Sequence, residues 1–400
     1  MPKMNLRDVN VKGKRVLVRV DFNVPLDAKN QVSDDTRIRA AIPTIEFLRN
    51  HGAIIVLMSH LGRPKGKRVP ELSLAPVAFR LAELLEQPVY MATDCVGEEV
   101  TEQVRNLEPG QILLLENLRY HQEEEGNGEK FSHNLAALGE IYVNDAFGAA
   151  HRAHASTEGV TNHLALSLCG LLMESEITYL QETLKQPDNP FVAILGGAKI
   201  SGKIEVIDNL LDKVDTLIIG GGMSYTFFKS MGLEIGNSLL EADRLDVAKK
   251  VMEKCQDQQV DLLLPIDIVV ADDFSESAQT RIVEREGIPV GWEGVDIGPE
   301  TRKLYARKLA SAGTVIWNGP LGVFEIPAFA HGTCAVAEAL VSATKQGTTS
   351  IIGGGDTAAA IVQMNLGNAM THISTGGGAS LECMGGRTLP GVAALTDKEE

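Results

Sequence analysis

Short apolar segments rich in β-branched residues recur along the chain. They are Val16–Val20, Ile54–Met58, Ile112–Leu115 and Ile141–Val143 in the first half, and Val192–Leu195, Thr216–Ile219, Asp261–Leu264, Thr314–Trp317, Ser350–Ile352 and Thr371–Ser374 in the second. Most are separated by stretches in which apolar residues have helical spacing, a pattern typical of buried parallel strands joined by helices. Two such sets predict an α/β fold of two doubly wound, Rossmann-like parallel-sheet domains.

A helix is predicted between the two sets of strands. From Cys169 to Lys185 the apolar residues Met173, Ile177, Leu180 and Leu184 have helical spacing, and Pro187 and Pro190 then end the helix. We expect it to bridge the domains, although a helix lying wholly on one domain fits the same pattern. The predicted organisation is residues 1–168, an interdomain helix at 169–186, residues 187–380, and a C-terminal segment at 381–400.

Composition narrows the classes of function. The 400 residues are 44% hydrophobic and include 39 glycines, as expected of a soluble globular protein. The chain contains no run of about 18 apolar residues, so no membrane span is predicted, and the first residues lack the apolar core of a signal peptide. Five cysteines without a CxxC pair favour reduced thiols, a cytoplasmic location and no zinc site. A net charge of −16 argues against a general nucleic-acid binder.

Polar and basic residues follow the predicted strands of the first half. They are Asp21, Asn23, Arg37, His60, Arg63, Asn117, Arg119, Asn144, Asp145 and Arg152. Because parallel strands present their carboxyl ends at one edge, these groups are expected to converge there, and arginine binds phosphate or carboxylate oxygens bidentately. Ordinary turn residues, surface ion pairs and structural histidines at His151 and His154 are the alternatives. The acidic segment Glu123–Glu129 is predicted to be solvated surface.

The strand ends of the second half are rich in glycine. The turns are Gly196–Gly197, Gly220–Gly222, Gly319, Gly353–Gly355 and Gly376–Gly378. Glycine lets backbone N–H groups approach phosphates closely, so five such turns favour a nucleotide site.

A near match to the Walker A pattern runs from Gly197 to Ile204, but Ile204 replaces the Ser or Thr that would hold Mg²⁺. Asp356 is therefore the candidate metal ligand, with a helix N-cap as its alternative role. Lys199 and Lys203 are four residues apart. On a helix they would share one face and repel each other, and a bound phosphate would relieve that repulsion. The alternative is that they form a solvated helix face.

Several strings together resemble the phosphoglycerate kinase family over the whole chain. They are Arg19–Pro25, His60–Arg63, Leu115–Tyr120, Asn144–Gly148 and His151–Thr157. The departures, Glu158, Cys383 and Met384, touch no position that carries chemistry. The resemblance also implies that the C-terminal segment returns to the first domain.

The resemblance assigns roles to individual residues. It implies a 3-phosphoglycerate site at Asp21, Phe22, Asn23, Arg37, His60, Leu61, Gly62, Arg63, Arg119 and Arg152. It implies a nucleotide site at Lys199, Lys203, Gly294, Asn318, Glu325, Gly354, Gly355, Asp356 and Thr357, with the metal on Asp356. The catalytic residues implied are Arg37, Lys199, Gly376 and Gly377.

The expected function is reversible Mg-ATP-dependent phosphoryl transfer to 3-phosphoglycerate by a cytoplasmic monomer that closes around its substrates. A carboxylate nucleophile is ionised at pH 7, so no general base is required. A nicotinamide dehydrogenase would suit two doubly wound domains, but no glycine-rich turn has GxGxxG spacing. A non-catalytic nucleotide-binding module would leave the arginines of the first half without a role.

Overall fold

The computed structural model describes residues 2–398, and its first half alternates strands and helices. The elements are β1 (Arg15–Val20), α1 (Thr36–Asn50), β2 (Ile54–Met58), α2 (Ala75–Leu85), β3 (Tyr90–Met91), α3 (Glu98–Arg105), β4 (Ile112–Leu114), α4 (Gln122–Glu125), α5 (Glu129–Ala136), β5 (Ile141–Asp145), β6 (Ser167–Cys169) and α6 (Leu171–Ile177). The helix predicted from Cys169 to Lys185 is thus shorter, because Cys169 ends a strand. A π-helix at Thr178–Glu182 follows α6.

The second half contains more strands than its apolar segments predict. Its elements are β7 (Phe191–Leu195), α7 (Ile204–Leu211), β8 (Thr216–Ile219), α8 (Ser224–Ser230), α9 (Leu245–Asp257), β9 (Asp261–Leu263), β10 (Asp267–Ala271), β11 (Thr280–Glu284), β12 (Glu293–Ile297), α10 (Pro299–Leu309), β13 (Thr314–Asn318), α11 (His331–Lys345), β14 (Thr349–Gly353), α12 (Gly355–Gln363), β15 (His372–Ile373), α13 (Gly378–Met384) and α14 (Pro390–Ala393).

The chain forms two compact units. The first comprises the residues up to Thr178 together with those from Thr388 onward, and the second comprises Tyr179–Arg387. The domain boundaries expected after residues 168, 186 and 380 stay predictions.

A six-stranded parallel sheet forms the centre of the first unit, in the order β3-β4-β2-β1-β5-β6. Every residue of β1 after Arg15 is buried. Helices cover both faces of such a sheet, so its central strands are apolar without alternation. This order places the ends of β1 and β2 side by side at the edge where polar residues follow.

The second unit has its own six-stranded parallel sheet, in the order β15-β14-β13-β7-β8-β9. The predicted pair of doubly wound parallel-sheet domains is therefore confirmed. An additional antiparallel sheet, β11-β10-β12, was not predicted. Val269 pairs with Asp296 and Val270 pairs with Gly294, so the register shifts and Val295 forms a bulge beside the cavity described below.

No helix among residues 2–398 combines the length and the apolar character needed to cross a membrane.

Candidate functional site

The turn after β1 is tied to the end of β2 by hydrogen bonds. The Asn23 side-chain oxygen accepts from the Gly62 N–H at 2.8 Å, and the Phe22 N–H donates to the Ser59 hydroxyl at 2.9 Å. Phe22 and Leu61 are buried, whereas Asp21 is partly exposed. Phe22 and Leu61 therefore support the turn from the core, and polar groups line its outer side.

Arg37 lies in the first turn of α1 and contacts this same turn. Its Nη1 donates to the Asn23 carbonyl oxygen at 2.9 Å and is 3.4 Å from Asp21 Oδ2. About a third of the Arg37 side chain is exposed (36%). Asp21 thus holds one end of the guanidinium while the exposed part can contact a ligand.

Arg119, which follows β4, contacts the segment after β2 that is bonded to this turn. One of its N–H groups donates to the Gly62 carbonyl oxygen at 2.8 Å, and its Nε lies 3.3 Å from Glu125. Its side chain is only 4% exposed. Arg152 is half-buried, and its Nε lies 3.1 Å from the His151 ring, whereas Arg63 is exposed.

His60 reports the electrostatic environment of this region. Its pKa lies well below the ordinary value, first because the ring is buried and then because Arg19, Arg119, Arg152 and Arg37 disfavour its positive charge. These four residues form the arginine cluster. At neutral pH His60 is uncharged, so the arginines supply the positive charge of the site.

His154 shows the same effect. Burial, followed by the charges of Arg119, Arg19 and Arg152, lowers the pKa of His154 to about 4. Positive charge is therefore concentrated in this part of an acidic protein, as binding of an anionic substrate requires.

Sequence reasoning missed two residues of this region. Arg19 is 1% exposed and contacts His60, although it lies within an otherwise apolar strand. That placement was the available signal, because an arginine is rarely buried without a partner. Glu124 is fully buried, so the prediction of solvated surface at Glu123–Glu129 is wrong at this position.

Three other polar residues at the strand ends are occupied by structural hydrogen bonds. The Asn117 side chain bonds the backbone of Leu61, and Asn144 donates to the Gly391 carbonyl oxygen at 3.1 Å. Asp145 accepts from the backbone N–H groups of Leu172 and Met173 at the start of α6. Burial raises the pKa of Asp145 to about 7, opposed by these hydrogen bonds and one from Thr44.

The glycine turns of the second unit pack closely against one another. A Cβ atom on Gly196 would lie 2.2 Å from the Pro320 carbonyl oxygen, and one on Gly221 would lie 2.7 Å from the Gly197 nitrogen. Backbone therefore contacts backbone at the ends of β7, β8 and β13, and only glycine fits Gly196. Part of the glycine richness thus reflects packing between turns.

A cavity of about 600 Å³ lies beside these turns. Its walls are mainly apolar and include Tyr225, Leu239, Phe274, Val295, Pro320, Val323 and Ile326. The predicted residues Gly294, Glu325 and Asp356 also line it. An apolar slot of this size with a few acidic groups can hold a flat heterocycle and a hydroxylated sugar.

Lys203 lies near the Asp356 end of this cavity. Its Nζ is 3.7 Å from the position of a Cβ on Gly197. Burial lowers the pKa of Lys203, and the charge of Asp356 opposes that shift. Lys199 is exposed. The two lysines do not share a helix face, because Ser201–Lys203 is a 3₁₀ turn and α7 begins only at Ile204.

Asp356 is not the N-cap of α12, the alternative role considered for it above. Gly354, with φ +86°, is the N-cap, and Asp356 is an exposed residue of the first turn. Thr357 accepts a hydrogen bond from the Gly319 N–H at 2.6 Å. The buried Asn318 Nδ2 has no hydrogen-bond partner among the described residues. Asp356 is thus free of a capping role, and one carboxylate beside phosphate oxygens and water suits Mg²⁺.

Some predicted nucleotide residues lie outside the cavity walls. Among residues 2–398, those that line the cavity do not include Lys199, Lys203, Asn318, Gly354, Gly355, Thr357, Gly376 or Gly377. Gly376 donates to the Ser374 hydroxyl at 3.1 Å, and Gly377 is the N-cap of α13. The cavity therefore includes only Gly294, Glu325 and Asp356 of the predicted nucleotide site.

Elsewhere in the first unit, Asp94, Cys95 and His121 bring three potential metal ligands within 4.8 Å of one another. Asp94 Oδ1 lies 2.7 Å from His121 Nε2 and accepts from the Cys95 N–H at 2.7 Å. Hydrogen bonds alone account for this arrangement.

Comparison with known proteins identifies relatives over nearly the whole chain. The family model "Phosphoglycerate kinase" matches residues 6–387. The phosphoglycerate kinases of Chloroherpeton thalassium and Gloeothece citriformis are each 56% identical, and each alignment covers 99% of this chain and 100% of the relative. Among solved structures, the phosphoglycerate kinase of Coxiella burnetii is 42% identical with a TM-score of 0.88, covering 98% of both chains. That of Pyrococcus horikoshii is 31% identical, with a TM-score of 0.85 and the same coverage. With its two parallel-sheet units, its arginine cluster and these relatives, the chain belongs to the phosphoglycerate kinase family.

Proposed function

We propose that the chain catalyses reversible, Mg-ATP-dependent phosphoryl transfer to the carboxylate of 3-phosphoglycerate, giving 1,3-bisphosphoglycerate and ADP. The observation that carries the proposal is the arginine cluster around the uncharged His60. A small substrate with a phosphate at one end and a carboxylate at the other needs several guanidinium groups within one site.

The first unit supplies the acceptor site. Arg37 contacts the turn after β1, Arg119 contacts Gly62, and Arg152 contributes positive charge at His60. We assign these three arginines, with the exposed Arg63, to the two anionic ends of 3-phosphoglycerate. Asp21 and Asn23 can accept hydrogen bonds from its hydroxyl group. Phe22, Leu61 and Gly62 hold the turn in place.

The second unit supplies the nucleotide site. The apolar cavity suits the base, and Glu325 on its wall can accept hydrogen bonds from the ribose hydroxyls. We assign Lys203, Lys199, Asn318 and the start of α12 from Gly354 to Thr357 to the phosphates. Held by Asp356 and phosphate oxygens, Mg²⁺ would neutralise phosphate charge during transfer.

The chemistry requires positioning and charge stabilisation. The acceptor carboxylate is ionised at neutral pH and can attack the terminal phosphorus without a general base. We assign Arg37, Lys199 and the backbone N–H groups of Gly376 and Gly377 to the charge that develops on the transferred group. Because donor and acceptor must meet away from water, we propose closure of the two units when both substrates bind. A monomeric, cytoplasmic enzyme is the corresponding expectation.

One coupled assay tests the activity. The full chain is incubated with ATP, Mg²⁺ and 3-phosphoglycerate, with hydroxylamine present to trap the acyl phosphate, and ADP and hydroxamate are measured. We expect equal amounts of both products, and neither when 3-phosphoglycerate is omitted. ADP without hydroxamate would indicate simple ATP hydrolysis and contradict the proposal.

A further inference from the structure

A chain of four buried polar side chains lies behind the proposed acceptor site. Its members are Glu124, Ser156, Arg19 and His60, and none is more than 5% exposed. We call this set the Glu124–His60 chain. Glu124 lies in α4, Ser156 lies in the loop after β5, Arg19 lies in β1, and His60 follows β2. These segments are distant in the sequence and meet only in the folded protein.

The hydrogen-bond donors and acceptors in the Glu124–His60 chain can be assigned in only one consistent way. Arginine can only donate, so the Ser156 hydroxyl accepts from Arg19 Nε at 2.8 Å. The hydroxyl hydrogen is then directed to Glu124 Oε1 at 2.6 Å, while the Ser156 N–H donates to Oε2 at 3.0 Å. Burial raises the pKa of Glu124, and the charge of Arg19 is the largest factor opposing that rise. Glu124 therefore balances a buried guanidinium through a serine.

The other end of the Glu124–His60 chain determines the tautomer of His60. Arg19 Nη2 lies 3.0 Å from His60 Nδ1. Since the guanidinium stays protonated, Nδ1 must accept this hydrogen bond, and the single ring proton must lie on Nε2. A proton on Nδ1 would face the Arg19 N–H directly.

We propose that Glu124, Ser156 and Arg19 are positioning residues that hold His60 as the neutral Nε2–H tautomer. His60 then offers the anionic substrate a hydrogen-bond donor, and the arginines supply the charge. This inference rests on the proposed function for the identity of the substrate, but the tautomer itself can be measured on the protein alone.

The first test is the tautomer of His60 in the full-length protein without substrate. Long-range ¹H–¹⁵N spectra of ¹⁵N-histidine-labelled protein distinguish protonated from unprotonated ring nitrogens, and His60→Gln identifies the His60 signals. We expect the Nε2–H form from pH 6 to pH 8. An Nδ1–H ring or an imidazolium in that range would overturn the proposal.

The second test removes the central link. Ser156→Ala leaves Arg19 Nε without its acceptor, so we expect a mixture of His60 tautomers and an affinity for 3-phosphoglycerate lowered about tenfold, as for one lost hydrogen bond. Ser167→Ala is the matched control, because Ser167 is also buried in this unit and its hydroxyl has no hydrogen-bond partner among the described residues. Glu124→Gln, which keeps the side-chain volume, should act in the same direction as Ser156→Ala.

The outcomes separate the two proposals. Calorimetric titration of the wild-type protein with 3-phosphoglycerate tests the proposed function, and absence of binding would contradict that function while the spectra still decide the tautomer. If folded Ser156→Ala and Glu124→Gln both keep a pure Nε2–H ring and wild-type affinity, the positioning role is overturned. If Ser156→Ala does not fold, Glu124→Gln and the wild-type spectrum carry the test.

Discussion

A methyl group added at Gly294 is expected to weaken nucleotide binding selectively. A Cβ there would lie 2.0 Å from the Tyr225 hydroxyl oxygen and 2.2 Å from its Cζ. Tyr225 is 3% exposed, and its ring lines the same cavity as Gly294. To restore the ordinary contact distance of 3.4 Å, the ring would have to move by about 1.4 Å.

The cavity determines whether this movement lowers the stability of the fold or the affinity for nucleotide. Without nucleotide the ring can move into empty space, so Gly294→Ala should change the free energy of unfolding only slightly. With nucleotide bound that space is filled, and overpacking costs about 1–3 kcal/mol. The affinity for ADP should therefore fall between about fivefold and about 150-fold.

Calorimetric titration of the full chain with ADP measures this effect. Gly287→Ala is the matched control, because Gly287 is exposed, lies between β11 and β12, and its nearest neighbour would be 3.4 Å from the new Cβ. Both variants should bind 3-phosphoglycerate as the wild type does. A folded Gly294→Ala protein with wild-type affinity for ADP would refute the placement of the nucleotide in this cavity.

Three further predictions concern charge. Arg37→Ala should lower kcat roughly 100-fold or more, because a donor to the transferred group is lost; a near wild-type kcat in the coupled assay would contradict its role. Asp356→Ala should weaken productive Mg-ATP binding and slow turnover but leave 3-phosphoglycerate binding intact, and a Mg²⁺ titration of turnover that matches the wild type would count against this role. Burial raises the pKa of Asp145 from 3.8 to about 7, so the folded chain keeps a proton that the unfolded chain releases. The contribution of Asp145 to stability should therefore fall by up to about 4 kcal/mol as pH rises from 4 to 7. Denaturant unfolding should show that Asp145→Asn loses less stability over this range than the wild type, and a slope that comes from Asp296, whose pKa burial likewise raises to about 7, should remain in both proteins.

Local sequence pattern was sufficient for the central strands of the parallel sheets, but the edge strands β3 and β6 of the first sheet were not predicted. The central strands β1, β2, β7 and β13 are short apolar segments, and burial on both faces makes such segments distinct from their polar surroundings. Position relative to a strand end was equally informative. Asp21, Asn23 and Arg37 meet at the edge where the sequence placed them.

In the antiparallel sheet, the buried apolar strand β10 carried a signal that sequence reasoning overlooked, whereas β11 was missed for a physical reason. Four of the five residues of β11 are exposed, so the strand lacks the apolar segment that revealed the others. Its pairing with β10 depends on backbone hydrogen bonds, which leave no mark on the amino-acid pattern. The bulge at Val295 is a property of the paired strands and cannot be located in one strand alone.

The sequence by itself thus determined the central strands of the two parallel sheets, the strand ends that carry polar residues and the family. Tertiary structure decided which charged groups are buried and which partners they have. Arg19 contacts a histidine 41 residues away and a serine 137 residues away, and Glu124 is buried within a segment whose composition indicates a surface loop. Burial and long-range pairing arise only when distant segments meet, because the cost of desolvating a charge depends on what surrounds it.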